Sequence, residues 1–208
     1  MTISNMIWHP GWWIDPVIEK DLLAMWNQRH AQAEGLGQVA DVLVQNIHLA
    51  KAGCKALDLA CGRGANALFM ARAGLKVTAW DLSPVAIERL TAAARAEHLS
   101  IASTVRDVIT EPPEPGTFDL ILVSYFLDRE LAPAIAKALK PGGLLFYQTY
   151  SRAAVTDDGP TSDRFRLDDN ELLMLFDSLR PRVYREERLL GNTEQGWRDR
   201  AMLVAEKG

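Results

Sequence analysis

The stretch Lys55–Gly74, KALDLACGRGANALFMARAG, decides the fold. It begins as a short apolar strand, turns at Gly62 and Gly64, and continues as an amphipathic helix. Glycines let the backbone turn tightly and let a ligand approach the main chain closely. Asp58 interrupts the apolar strand, where a buried carboxylate is costly unless it meets a donor or a cation. Taken alone, the stretch is either an ordinary strand–helix turn or the loop of a nucleotide site.

Strands and helices alternate on both sides of this stretch. Strands are predicted at 55–60, 76–80, 101–105, 118–124 and 144–150, with helices at 64–73, 84–98 and 131–139. Two helices, 16–33 and 39–50, are predicted to precede them. A loop over 151–165, a helix over 168–179 and two strands, 182–190 and 198–206, are predicted to follow. The pattern predicts an α/β fold with a doubly wound, seven-stranded, mostly parallel sheet, a C-terminal antiparallel hairpin and helices on both faces.

Length and composition predict a single domain. The 208 residues divide into an N-terminal arm with cover helices (1–53), a ligand-binding core (54–150) and a C-terminal part (151–208) that we expect on the acceptor side. The net charge of −4 and the lack of a basic run argue against a nucleic-acid partner. No apolar run is long enough for a membrane span, and two cysteines provide neither a disulfide framework nor a zinc site. We therefore expect a cytoplasmic protein without a metal.

The N-terminal arm, residues 1–15, is rich in tryptophan. It contains Trp8, Trp12 and Trp13, which is half of the six tryptophans in the chain. Large aromatic side chains bury much apolar surface when they pack on a domain or on another subunit. The arm is therefore interpreted as a segment that packs on the domain or on a second subunit as a homodimer interface, or else as a lid over the ligand site.

Acidic residues end several of the predicted strands. Asp58 lies beside the glycine turn, Asp81 ends the second strand and Asp107 follows the third. Ligands bind to open α/β sheets at the carboxyl ends of the strands, where these three acids meet. A carboxylate can accept from both hydroxyls of a ribose or from the exocyclic amine of a base. Asp81 and Asp107 each have an ordinary alternative, as a helix cap or a strand end, but the set predicts an adenosine site.

Two kinds of adenosine cofactor must be distinguished. The pattern Gly62-x-Gly64-x-x-Ala67, with Asp81 downstream, also fits a loose dinucleotide fingerprint. A pyrophosphate prefers bare amides at a helix N-terminus, and Asp58 beside the turn would repel it. Asp58 suits the cationic α-amino group of a methionine moiety instead.

The successive motifs also resemble a known family. LDLACGRGANALFMA, VTAWDLSPVAIERL, RDV, FDLILVSYFLDR and LKPGGLLFYQTY resemble the motifs of class I S-adenosyl-L-methionine (SAM)-dependent methyltransferases. GPTSDRFRLDDNELLMLF, YREE and WNQRH are similar to the tellurite-resistance type of small methyltransferase. The resemblance implies a Rossmann-like fold, SAM as cofactor and S-adenosyl-L-homocysteine as product.

The resemblance also assigns a cofactor site. It implies that Asp58, Ala60, Gly62 and Gly64 line the methionine and ribose, together with Cys61 and Asn66 of the same turn. It places Asp81 and Leu82 at the ribose and one adenine face, Asp107 and Val108 at the adenine edge, and Ser124 and Tyr125 under the sulfonium. Ala60 departs from the glycine that many members carry, which adds one methyl group. Cys61 is interpreted as a packing residue and not as a nucleophile.

The acceptor side is less defined by the sequence. Tyr125 and Arg129 are the predicted catalytic residues, and Trp26, His30, Tyr150, Arg164 and Arg166 are predicted to contact the substrate. Arginines can hold an oxyanion or carboxylate through bidentate contacts. With no evident general base, we expect methyl transfer to a small molecule such as a thiol or a selenium or tellurium oxyanion. The alternatives are a non-catalytic SAM-binding regulatory or partner module, and an NAD enzyme.

Overall fold

A single seven-stranded sheet organises the chain in the computed structural model, which describes residues 16–208, with the backbone alone at 16–21. The strand order is β3-β2-β1-β4-β5-β7-β6. Strands β1 to β5 are parallel, while β7 runs antiparallel to both β5 and β6. The strands are β1 Lys55–Leu59, β2 Lys76–Asp81, β3 Ile101–Val105, β4 Phe118–Ser124, β5 Leu139–Tyr150, β6 Arg180–Glu186 and β7 Arg200–Glu206. The predicted Rossmann-like, doubly wound architecture is confirmed.

Six α-helices connect or cover these strands in residues 16–208. They are α1 Pro16–Gln32, α2 Asp41–Asn46, α3 Ala65–Arg72, α4 Pro84–Ala96, α5 Ala132–Ala138 and α6 Glu171–Leu175. Helix α4 begins where the sequence predicts, because the Ser83 hydroxyl accepts from the Ala86 amide and Pro84 occupies the first turn. None of the helices in this range is long and apolar enough to cross a bilayer. The tryptophan-rich arm and its predicted dimer interface lie outside the described residues.

Helices cover both faces of the sheet. Helices α2, α3 and α4 pack on one face through residues such as Leu43, Leu68 and Leu90, and α5 and α6 pack on the other through Ile135 and Leu172. Strand β4 lies at the centre, and its residues 120–123 are all buried. A strand covered on both faces is expected to be continuously apolar, as the run LILV is.

Several elements differ from their predicted bounds, among them three in the C-terminal half of the chain. Strand β5 begins at Leu139 and not at residue 144, because Leu139 already pairs with Phe118 of β4, and the Pro-Gly-Gly segment lies in an irregularity before regular pairing resumes at Leu144. Helix α6 covers only Glu171–Leu175 of the predicted 168–179, since Asn170 adopts a left-handed conformation (φ 56°) at its start. Strand β6 ends at Glu186 and not at residue 190, so a longer loop separates it from β7. The core is unaffected by these differences.

Helix α1 crosses the carboxyl edge of the sheet. The Ser83 hydroxyl donates to the Asn27 side chain at 2.6 Å, which fixes the middle of α1 over the end of β2. Arg89 of α4 donates to the carbonyls of His30 and Ala33, satisfying acceptors that the C-terminus of α1 leaves free. The N-terminal cover helix therefore lies over the edge where the sequence predicts a cofactor.

Candidate active site

The turn after β1 has a backbone that few residues other than glycine adopt readily. Ala60, Gly62 and Gly64 have φ values of 56°, 52° and 89°, all in the left-handed region. A Cβ on Gly64 would lie 2.3 Å from a methyl carbon of Leu90, so only glycine lets the turn approach α4 this closely. The turn therefore brings bare backbone to the carboxyl edge.

Asp81 joins this turn to the end of β2. Its Oδ2 accepts from the Gly62 amide at 2.7 Å, and its Oδ1 accepts from the Ser83 amide at 2.8 Å. Burial raises the pKa of Asp81, while these two amide bonds and the nearby His30 oppose the rise. Each carboxylate oxygen keeps a second lone pair, so the residue can also accept from ribose hydroxyls.

Asp58 is fully buried, and neither of its oxygens has a hydrogen-bond partner among the described residues. Burial and the neighbouring charge of Asp81 raise its pKa to about 8, while the Ala67 amide opposes the rise without reaching hydrogen-bond geometry. A cation stabilises a buried carboxylate that has no hydrogen-bond partner. The negative charge of a pyrophosphate would instead destabilise the ionised carboxylate further. The residue therefore fits the ammonium group of SAM and not a dinucleotide.

The predicted adenine edge lies at the ends of β2 and β3. Asp107 accepts from the Ile109 amide through one oxygen, Oδ1, at 2.9 Å, and Val108 is buried beside it. The Arg106 guanidinium lies 4.0 Å from the centre of the Trp80 ring, a cation–π contact that connects the two strand ends. Leu82, after β2, is half-buried. This arrangement can hold a planar base with a polar edge.

Trp26 and His30 lie at the glycine turn. Their rings stack with centres 5.8 Å apart, and the His30 Cε1 atom would be 3.6 Å from a Cβ on Gly62. Burial lowers the pKa of His30, and nearby arginines lower it further against the attraction of Asp81, so the imidazole is held neutral. The structure groups these two residues with Asp81, whereas the sequence placed them with the acceptor.

Two buried amides connect α2 to the ends of β4 and β5. Asn66 accepts from the Ala40 amide and donates to the Ser124 hydroxyl, each at 2.9 Å. Gln148 accepts from the Val42 amide at 2.8 Å and donates to the Tyr125 hydroxyl at 2.7 Å. Because Ala40 has no capping side chain, these amides satisfy free N–H groups of α2 from outside the helix.

A cluster of two tyrosines and an arginine lies beyond Ser124. The Tyr125 and Tyr150 ring centres are 5.1 Å apart, and the Arg200 guanidinium lies 5.8 and 5.6 Å from them. Arg200 reaches Asp41 and Asp158 only at 4.0 and 3.9 Å, and its buried Nε has no hydrogen-bond partner among the described residues. The cluster can accept an anion.

Tyr125 is the exposed member of this cluster. It adopts a left-handed backbone (φ 55°), and its side chain is 40% exposed at the carboxyl edge. Burial of part of the ring raises the pKa of its phenol, and Arg200 and Gln148 oppose the rise. Tyr125 is therefore a neutral hydroxyl at physiological pH and not a base.

Arg129 and Arg166 hold the C-terminal loop through hydrogen bonds to protein acceptors. Arg129 donates to both oxygens of Glu171 and to the carbonyls of residues 164 and 166. Arg166 is buried and donates to the carbonyls of Ser151, Asp158 and Pro160. These contacts give both side chains a structural role, and the catalytic role of Arg129 and the substrate role of Arg166 stay predictions. Arg164 is exposed, with its guanidinium 5.7 Å from the Phe165 ring centre.

Gln148 and Arg200 are functional candidates that the sequence prediction missed. A glutamine inside the apolar strand β5 is itself a signal, since buried amides need partners. Arg200 pairs with Tyr150 across β5 and β7, because an antiparallel strand brings its beginning to the active edge. In the described part of the chain, no three His, Cys, Asp or Glu side chains group as a metal site.

Comparisons with known proteins agree with this geometry. Residues 56–143 match the family described as "Methyltransferase domain". The chain is 35% identical over 114 residues to the Haemophilus influenzae protein named "Probable S-adenosyl-L-methionine-dependent methyltransferase TehB", covering 51% of this chain and 38% of that protein. It is 37% identical over 109 residues to the ubiquinone biosynthesis O-methyltransferase of Xanthomonas euvesicatoria, covering 49% and 45% of the two chains.

The structural comparison extends beyond the matched motifs. The crystal structure of H. influenzae TehB superimposes with a TM-score of 0.66 at 25% identity, over 86% of this chain and 65% of that one. The chain spans less than half the length of these two curated relatives. Residues 56–143 thus form a methyltransferase domain, and with the glycine turn, the unpartnered Asp58 and the Asp81 carboxylate at one edge, the chain resembles the SAM-dependent methyltransferase TehB.

Proposed function

We propose that this chain transfers a methyl group from SAM to a small acceptor that carries a negative charge. The observation that carries the proposal is Arg200, whose buried Nε lacks a partner and whose guanidinium lies beside Tyr125 and Tyr150. A guanidinium with an unused donor binds carboxylates and oxyanions well. The cluster follows β4, whose last residue, Ser124, is hydrogen-bonded to Asn66 of the cofactor side.

The cofactor residues have separate tasks. Asp58 would hold the ammonium group, Asp81 the ribose hydroxyls, and Asp107 with Val108 the adenine. When bound, SAM supplies a methyl group on a positively charged sulfur, which is already activated for transfer. The chain would contribute mainly by orienting the two reactants and excluding water.

Tyr125 supports an acceptor that needs no base. Its hydroxyl is neutral, and Arg200 stabilises negative charge next to it. A thiolate or a selenium or tellurium oxyanion meets this requirement. The name of the Xanthomonas relative specifies oxygen methylation, so phenols belong among the acceptors to be tested.

Calorimetry and an acceptor screen test the proposal. We expect SAM and S-adenosyl-L-homocysteine to bind, and a thiol, selenite or tellurite to be methylated. Binding without turnover on any acceptor, phenols included, would favour the non-catalytic SAM-binding module. If neither ligand binds, and a nicotinamide cofactor binds instead, both interpretations fail.

A matched pair of variants tests the role of Arg200. Arg200→Met should raise the KM for the acceptor about tenfold or more, since a charge-assisted hydrogen bond contributes about 1.5–3 kcal/mol, while the affinity for SAM changes little. Arg182→Met removes a more exposed arginine that pairs with Glu206, and should leave both unchanged. If both variants changed the KM for the acceptor equally, Arg200 would not be a residue that binds the acceptor.

A further inference from the structure

Tyr125 and Gln148 contact each other twice. The Tyr125 backbone amide donates to the Gln148 carbonyl at 2.8 Å, and the Gln148 side-chain Nε2 donates to the Tyr125 hydroxyl oxygen at 2.7 Å. Gln148 is fully buried, whereas Tyr125 is 40% exposed. A buried residue therefore fixes the position of an exposed hydroxyl.

The orientation of the Gln148 amide follows from its other partner. Its second polar atom lies 2.8 Å from the backbone nitrogen of Val42, which can only donate. Only the amide oxygen can accept there, because the flipped amide would place two donors against each other. The NH₂ group must then face Tyr125, and the hydroxyl oxygen of Tyr125 must accept.

The proton of Tyr125 is therefore directed away from Gln148. Among residues 22–208, whose side chains the structure describes, no acceptor for this proton is found. The hydroxyl belongs to the cluster with Arg200 and Tyr150, and the carboxylates of Asp41 and Asp158 lie 4.0 and 3.9 Å from the Arg200 guanidinium. It can donate to a molecule bound there, and neither carboxylate is hydrogen-bonded to it as a base would be.

We propose that Gln148 is a positioning residue that holds the Tyr125 hydroxyl as a donor toward the methyl acceptor, so that the site selects acceptors that arrive as anions. The inference rests on the proposed function, because it names the substrate class of the same site. A neutral alcohol would have to lose its proton to solvent, while a thiolate or oxyanion gains a hydrogen bond from Tyr125 and charge stabilisation from Arg200.

A carbon-13 NMR titration tests the hydrogen bond without turnover. The tyrosines are labelled with carbon-13 at the ring carbon that bears the hydroxyl. Because the chain has only four tyrosines, the signal that disappears in a Tyr125→Phe variant is assigned to Tyr125. Loss of one donor should destabilise the phenolate, so Gln148→Met should raise the Tyr125 pKa by about 0.5 to 1. An unchanged titration of Tyr125 would overturn the proposal, whether or not any acceptor is found.

A double-mutant cycle separates positioning from support of α2. In the native background, Gln148→Met should lower kcat/KM for an anionic acceptor about tenfold. In the Tyr125→Phe background, which lacks the hydroxyl but keeps the contact with Val42, the same change should cost less than about twofold. Equal losses in both backgrounds would mean that Gln148 only supports the fold, and the proposal would be wrong. Absence of turnover in the native protein would instead count against the proposed function alone.

Discussion

The carboxylate of Asp81 accepts a hydrogen bond from the backbone amide of Gly62 at 2.7 Å. The residue expected to bind the ribose thus also fixes the turn expected to bind the methionine moiety. The Ser83 amide donates a second hydrogen bond to the other oxygen, so both carboxylate oxygens of Asp81 are held in place. The two halves of the expected cofactor site are coupled through one side chain.

Asp81→Asn should weaken SAM binding more than the loss of one ribose contact would. The amide NH₂ group must face one of two N–H donors, Gly62 or Ser83, so the turn also loses an acceptor. Hydrogen bonds to charged groups contribute about 1.5–3 kcal/mol each, so we expect the Kd for SAM to rise about 10- to 100-fold or more. Calorimetry measures this directly.

Asp119→Asn is the matched control. Asp119 also accepts from a backbone amide, that of Lys55, and pairs with Lys140, but it lies near the start of β4. Its replacement should leave the Kd for SAM within about twofold, since it lies at the opposite edge of the sheet. A similar loss in both variants would indicate general destabilisation.

The stability of the ligand-free protein should fall as pH rises through the range set by Asp58. Burial and Asp81 raise the Asp58 pKa from 3.8 to about 8, so the folded state holds a proton that the unfolded state releases. This favourable contribution is complete below about pH 4 and is lost progressively up to about pH 8. Urea unfolding at pH 5 to 9 should show Asp58→Asn gaining stability relative to the native protein as pH rises.

Binding of SAM should release the same proton. An ammonium group next to Asp58 favours the ionised carboxylate, so near neutral pH we expect close to one proton to leave the protein on binding. Calorimetry in buffers of different ionisation enthalpy counts this proton. Asp58→Asn should bind SAM weakly and release none from this position. Identical proton release in the variant would show that Asp58 does not face the ammonium.

Arg129→Lys should reduce stability and not cofactor binding. A lysine cannot keep the bidentate contact with Glu171 together with the two carbonyl acceptors. Because the guanidinium is about one-third exposed, we expect a loss of about 1–2 kcal/mol in the free energy of unfolding. Arg182→Lys, at a more exposed pair, should change it by less than about 0.5 kcal/mol. Loss of turnover at unchanged stability would support the catalytic role of Arg129.

The features predictable from the sequence are those that depend on local order along the chain. Asp58 lies near the end of a recognisable strand, Asp81 ends one and Asp107 follows one, and parallel strands bring such positions to one edge. The glycine turn was recognisable for the same reason. This is why the sheet, and the meeting of these acids at one of its edges, could be predicted from the sequence.

The acceptor side depends on partners distant in the sequence. Gln148 binds an amide 106 positions earlier, and Arg200 reaches the site only because β7 runs antiparallel to β5. Arg129 and Arg166 stand near the expected positions, but backbone carbonyls of a folded loop take up their donors. Residue type alone cannot distinguish an arginine that binds a ligand from one that holds a loop.

Ala60→Gly should stabilise the protein. Ala60 has φ 56°, where a Cβ costs about 1–2 kcal/mol, so glycine would relieve this strain in the folded state. Glycine also gives the unfolded chain more conformational freedom, which offsets about 0.4–1 kcal/mol of the stabilisation. We therefore expect a net increase of about 0.5–1 kcal/mol in the free energy of unfolding, measured with urea. The departure from glycine thus matters for backbone strain more than for the space that the methyl occupies.

Two further variants determine whether the left-handed backbone is the cause. His98→Gly changes another residue with positive φ, 55°, just after α4, and should also stabilise or be neutral. Ala56→Gly changes a buried alanine in β1, outside the left-handed region, and should destabilise by about 1 kcal/mol or more, because it loses packing and gains unfolded-state freedom. If Ala60→Gly behaved like Ala56→Gly, the strain at the cofactor turn would be absent in solution, and the turn would have a different conformation before SAM binds.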